Sequence, residues 1–296
     1  MRVLAHPVFL YAVTALIWGS TFYAIKFQLG VVAVELSVAY RFAFAALILF
    51  LWCKLSRRSL QISLAAHGWL ALQGILLFGL NYLLVYWASF YLTSGLIAVV
   101  FSTVVIMNLM NGAIFLKRRP EPAVMLAAAV GLVGIALVFW PEVVQADQKS
   151  DTWLGLGLSF LGTFCASLGN ILSGRNQAAG LAVVQSNAFG MAYGAALLFV
   201  IAWAMGRPLV FDASQGYVLS LLYLAVFGSV LAFTAYLTLL GQIGPERAAY
   251  VMVLFPLIAL LVSTVFEGYQ WSAHALLGVV LVVIGNVVML SSRRPS

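Results

Sequence analysis

The chain has 296 residues, of which 64% are hydrophobic and only 8% charged, and its mean hydropathy is +1.08. A soluble domain carries about 25% charged residues, so disorder, a nucleic-acid-binding module and an ordinary water-soluble enzyme are excluded. The net charge of +7 comes from 15 basic and 8 acidic residues, and its meaning lies in where they fall.

A helix needs about 20 predominantly apolar residues to cross roughly 30 Å of hydrocarbon. Ten such runs follow one another, at about 7–25, 33–53, 67–88, 94–116, 121–140, 152–174, 181–205, 216–239, 247–266 and 272–291. The first starts after a single arginine and lacks a convincing small-residue cleavage site, so it reads as a retained helix. Connections are short, the longest being PEVVQADQKSD at 141–151. The expected fold is therefore an all-α integral membrane protein, one transmembrane domain over 1–296. Cys53 and Cys165 lie in apolar runs and form neither a disulfide framework nor a metal pattern. No cofactor and no metal are expected.

Charge placement predicts the topology. With the N-terminus inside, eleven basic residues fall at cytoplasmic helix ends: Arg2, Lys54, Arg57, Arg58, Lys117, Arg118, Arg119, Arg175, Arg247, Arg293 and Arg294. Three fall on the opposite side: Lys26, Lys149 and Arg207. That bias predicts cytoplasmic N- and C-termini. The basic balance is thus a topology signal, with lipid rather than nucleic acid as the partner.

The two halves repeat. An offset of about 150 residues lays 35–49 over 185–199, Gly19 over Gly169 and Tyr86 over Tyr236. Repeat one spans about 7–140 and repeat two about 152–291. Five helices per repeat is an odd number, so the second copy enters the membrane in the opposite sense. Inverted repeats of this kind build many secondary transporters, with the substrate site near the midplane.

Trp18-Gly19-Ser20-Thr21-Phe22 resembles the helix-one opening of the ten-helix EamA-type branch of the drug/metabolite transporter superfamily. Arg41-Phe42, the segment Gly244-Pro245-Glu246-Arg247-Ala248-Ala249, Phe255-Pro256 and Phe266-Glu267-Gly268 are similar to further patterns of that branch. Within it the chain looks most like the YddG-type exporters of aromatic amino acids. The fourth helix departs from the pattern, with Ile106 where the ninth has Pro256, and Lys117 where a glutamate is expected. The resemblance implies a multi-pass protein of the bacterial inner membrane that exports small metabolites, functions as a monomer and uses the ninth helix to line the path.

The residues limit the chemistry. No acidic side chain falls in the middle of a span, Glu35, Glu246 and Glu267 all sitting near ends. A proton relay needs a titratable group at depth, so proton-driven export of cationic drugs is disfavoured. A membrane-embedded enzyme would need paired acids or a nucleophile with its base, and neither pattern is found. A nucleotide-sugar or sugar-phosphate exchanger would need several buried cations, whereas Arg41 is the only basic residue well inside a span. It lies on the order of 12 Å deep. It has two readings, a donor to a substrate carboxylate or a holder of backbone carbonyls.

Neutral polar and aromatic residues are the better candidates for the substrate pathway. Asn81, Tyr82 and Tyr86 share an arc of about 140° on the third helix. Ser102 and Asn108 on the fourth, Ser167 and Asn170 on the sixth, Tyr236 on the eighth and Trp18 on the first complete the set. Their competing role is to glue helices together in lipid. Pro245 and Pro256 break backbone hydrogen bonds around the ninth helix and are read as a gate or hinge. Gly190 with Gly194, and Ala127 with Gly131, are read as close-packing steps.

Overall fold

The computed structural model describes residues 6–92, 94–117, 121–140, 144, 151–266 and 271–291. Lipid offers the backbone no hydrogen bonds, so a spanning segment satisfies itself as helix. The helices are α1 (Pro7–Lys26), α2 (Val34–Leu55), α3 (Leu64–Ala88), α4 (Ser94–Ser102 and Val104–Leu116) and α5 (Pro122–Val138). They continue as α6 (Thr152–Ala178), α7 (Val183–Ala204), α8 (Gln215–Ile243), α9 (Pro245–Ala248 and Val251–Phe266) and α10 (Ala273–Ser291). Among the described residues eight helices are long and apolar enough to cross a membrane, and α5 and α10 are shorter apolar ones. Large apolar side chains such as Leu47, Trp153 and Trp203 point out of the bundle, where lipid receives them.

Local chemistry sets the ends. Ser63 and Ser214 cap α3 and α8 by accepting from the amides of Ala66 and Tyr217. Gly244 adopts φ +93°, a value that only glycine takes freely, and so ends α8 one residue before Pro245 opens α9. Tyr11 of α1 bonds Asn286 of α10, so the start of the first helix and the end of the last lie together. That end is called the terminal end here, and the opposite one the far end. Of the charges behind the expected topology, Arg2, Arg118, Arg119, Glu142, Asp147, Lys149, Glu267, Arg293 and Arg294 lie outside the described residues.

Packing follows the repeat. The most extensive contacts join α2 to α7 and α5 to α10, each helix against its own repeat mate. Such mate-to-mate pairs are what a pseudo-two-fold relation between the halves produces. Helix α1 packs on α8 and α9, while α6 packs on α3 and α4, the same relation seen from the other half. Small residues allow these approaches. A Cβ on Gly74 would sit 2.1 Å from the Gly190 carbonyl oxygen, and one on Gly278 2.5 Å from that of Gly134. The packing steps Gly190/Gly194 and Ala127/Gly131 both lie at such crossings.

One feature was not expected. Helices α3 and α8 each carry a π-helical turn, Ile75–Leu80 and Leu224–Leu231, about one repeat offset apart. A π-turn widens the helix and frees a backbone carbonyl, and is frequent at functional sites. Both turns contain Phe-Gly, at 78–79 and 227–228.

Candidate functional site: a central aromatic cavity

Between the halves lies a cavity with about 890 Å³ of empty space, mouth included. Its wall is aromatic and apolar. Trp18 meets Phe233 at 5.0 Å and Tyr236 at 5.1 Å between ring centroids, and Tyr82 stands between Phe42 at 4.8 Å and Tyr86 at 6.4 Å. Phe101, Met252 and Phe255 add further apolar surface. Toward the far end the lining reaches Ile25, Val85 and Ile97, and toward the terminal end it stops at Asn170 and Tyr236. Among the described residues Arg41 is the only charged one on this wall, and Thr21, Asn81 and Asn170 are neutral polar members.

Arg41 is anchored by the π-turn of α8. Its Nε donates to Ser229 Oγ at 2.8 Å and its Nη2 to the Gly228 carbonyl at 3.2 Å. The same carbonyl accepts Trp18 Nε1 at 3.1 Å. One carbonyl inside the π-turn thus holds both the guanidinium and the largest ring of the wall. The guanidinium also lies 5.1 Å from the Tyr82 ring centre, within cation–π range. In α3 the Leu77 carbonyl of the π-turn accepts Asn81 Nδ2 at 3.2 Å, the counterpart on a smaller scale.

Seven of the sequence candidates therefore share one wall: Trp18, Arg41, Asn81, Tyr82, Tyr86, Asn170 and Tyr236. Three do not reach it. Ser167 accepts from Asn111 Nδ2 at 2.8 Å, joining α6 to α4. Asn108 donates from Nδ2 to the Pro245 carbonyl at 2.9 Å, joining α4 to α9. Ser102 donates to Ala98 O at 2.7 Å and reaches Met252 O at 3.5 Å. Met252 lies four residues before Pro256, so its carbonyl has lost its ordinary helical donor. These three side chains serve helix contacts, the competing role that small polar residues have in lipid. Pro245 is buried at the start of α9, and Pro256 lies inside α9 between cavity residues Met252 and Phe255 and the far end.

Comparison with known proteins follows the same division into halves. The EamA-like transporter family matches the chain twice, at residues 6–140 and 152–291. The chain belongs to the EamA-like transporter family. Protein PagO of Salmonella typhimurium is 24% identical over 96% of this chain and 93% of its own length. The uncharacterized inner membrane transporter YedA of Escherichia coli K12 is 27% identical over 92% of this chain and 88% of its own. A solved crystal structure superposes with a TM-score of 0.77 at 17% identity, covering 98% of this chain and 99% of that one, which speaks to the fold alone. The protein is a multi-pass membrane transporter of the drug/metabolite superfamily.

This EamA-like chain also closes its terminal end with polar bonds across the halves. Arg247 of α9 pairs with Glu121 at the start of α5, and Asn176 of α6 donates to Gln73 of α3 at 2.8 Å. Among the described residues no group of three His, Cys, Asp or Glu side chains is placed to hold a metal. The sequence reading passed over Phe233, Phe101 and Phe255 because a phenylalanine in lipid is unremarkable by itself. The repeated Phe-Gly of the π-turns was the available signal for Gly228.

Proposed function

We propose that this protein exports amino acids with large apolar or aromatic side chains from the cytoplasm. It does so across the inner membrane by alternating access, as a monomer with cytoplasmic termini. One observation carries the reading: the rings of Trp18, Tyr82, Phe233 and Tyr236 face the same space as the neutral amides of Asn81 and Asn170. Ring pairs are worth about 0.5–1.5 kcal/mol beyond area burial, and amides bind both ends of a zwitterion without a fixed charge. A phosphate-bearing substrate is poorly served, since two of Arg41's three nitrogens are already committed to α8. An organic cation would find no carboxylate on the wall. Glu35, Glu121 and Glu246 stand at helix ends rather than at depth, so the transport step carries no obligatory proton. Membership of the EamA-like family, the likeness to the inner membrane transporter YedA and the YddG-type resemblance support the same reading. Pro245 and Pro256 give α9 the places to bend.

The test is a substrate panel on purified protein in liposomes. Phenylalanine and tryptophan should be carried in preference to threonine, and Tyr82→Ala or Trp18→Ala should narrow that preference. Flux of sugar phosphates or organic cations without any amino acid would overturn the assignment.

A further inference from the structure

At the cavity floor, and directly behind it, lie three polar atoms with nothing to bond. Asn108 and Tyr236 are 0% exposed and Asn170 is 1% exposed. Among the described residues the side-chain oxygens of Asn108 and Asn170 and the hydroxyl of Tyr236 have no hydrogen-bond partner. They come from α4, α6 and α8, and the polar neighbours of the Tyr236 hydroxyl are the Asn108 and Asn170 amides. Asn108 lies behind the wall, with its Nδ2 on the Pro245 carbonyl and its Oδ1 unpartnered. Buried polar atoms are nearly always satisfied, so the two that line the cavity, on Asn170 and Tyr236, call for a partner from inside it.

The chemistry of the trio selects that partner. Two amide oxygens accept only, and a phenol accepts as readily as it donates. An ammonium group brings three N–H donors and no acceptor. A carboxylate would meet the Asn170 amide oxygen, which can only accept, beside a single phenol donor. The ring of Trp18 packs at 5.1 Å on that of Tyr236, so a cation here also has aromatic faces beside it. Arg41 is a separate station, among Tyr82 and Tyr86. It holds the α8 π-turn seven residues before Tyr236, about 10 Å along the helix.

We propose that Asn170 and Tyr236, backed by Asn108 behind the wall, form an ammonium subsite at the floor of the cavity. It orients the substrate with its amino group toward the terminal end and its side chain among the rings of Phe233, Tyr82 and Phe255. The inference rests on the amino-acid reading of the cavity and adds to it which group is read, and by which residues. On this account Arg41 is a positioning residue of the π-turn.

The test uses two analogues that each keep one charge: phenethylamine, with the ammonium alone, and 3-phenylpropionate, with the carboxylate alone. Binding to the purified full-length protein is measured by scintillation proximity, beside phenylalanine flux in liposomes. The intact protein should bind phenethylamine at least tenfold more tightly than 3-phenylpropionate. Tyr236→Phe, which keeps the ring, and Asn170→Leu, which keeps the branching and heavy-atom count, should each weaken phenethylamine about tenfold. Neither should shift 3-phenylpropionate more than twofold. The inference is overturned if 3-phenylpropionate is the tighter ligand, if phenethylamine does not bind, or if both variants leave phenethylamine unchanged. Phenethylamine binding lost in the variants, with no phenylalanine flux in the intact protein, would uphold the subsite and remove the substrate reading alone.

Discussion

The two ends of the bundle use the same kind of lock at different strengths. At the terminal end Arg247 is in direct contact with Glu121, and both are largely withdrawn from the surface. Two amide bonds across the halves back it, from Asn108 to Pro245 at 2.9 Å and from Asn111 to Ser167 at 2.8 Å. At the far end Arg207 stands 3.8 Å from Glu35 with 46% of its side chain exposed, and Glu35 is held instead by Trp87 Nε1 at 3.0 Å. The cavity stops before the first lock and extends toward the second. A close, largely buried ion pair is costly to break once formed, whereas at the far end Glu35 is buried on Trp87 and its distant arginine stands in solvent, where a pair contributes little. The comparison teaches that the side with its charges sealed together is the side the cavity does not reach. On the proposed function, alternating access would amount to the two ends exchanging these conditions.

The largest effect should come from breaking the stronger lock. Arg247→Ala leaves Glu121 with no guanidinium and should cost roughly 2–3 kcal/mol, somewhat less than a wholly buried pair. The readout is a lower midpoint of thermal unfolding in detergent, partly recovered by the charge swap Arg247→Glu with Glu121→Arg. A smaller effect is expected where the π-turn grips Arg41. A Cβ at Gly228 would meet Thr21 Cγ2 at 2.9 Å and Arg41 Nη2 at 3.1 Å. Gly228→Ala should therefore cost about 1–2 kcal/mol and slow transport severalfold. Because it acts through Arg41, combining it with Arg41→Lys should give less than the sum of the two. Glu35→Gln at the weaker lock should change stability by under about 0.5 kcal/mol and transport by less than twofold. If it equals Arg247→Ala, the contrast between the ends is lost. Smallest of all, an imposed pH gradient should leave phenylalanine equilibration unchanged. Accumulation driven by that gradient would place a proton carrier in the path.

Much of this was legible in the chain. Apolar runs long enough to span gave helices within a few residues of their observed ends, because in lipid nothing but helix satisfies the backbone. The offset that pairs Tyr86 with Tyr236 also pairs α2 with α7 and α5 with α10. Periodicity placed Asn81, Tyr82 and Tyr86 on one face, and all three line the cavity. It gave the same weight to Ser102, Asn108 and Ser167, which are committed to other helices. A face says which side of a helix is polar, not whether its neighbour is a helix or a cavity. The π-turns were hidden for a different reason. They insert one residue into the helical count without changing composition, so an apolar stretch such as Ile75–Leu80 reads as ordinary helix. Arg41 was legible as deep, with a hold on backbone carbonyls as one of its two readings, but which carbonyl it holds, Gly228 in the α8 π-turn, was hidden with the turn itself.

The central claim is that the aromatic cavity is where an amino acid binds, and it is most directly tested by protection of that cavity. Cys53 and Cys165 are first replaced by alanine, and Ala98, a small residue on the wall, is changed to cysteine. The rate of its modification by a membrane-impermeant maleimide is then followed in liposomes with and without ligand. The account predicts labelling from one face of the membrane that slows with rising phenylalanine and not with a sugar phosphate. Labelling indifferent to phenylalanine, or slowed equally by a sugar phosphate, would contradict it.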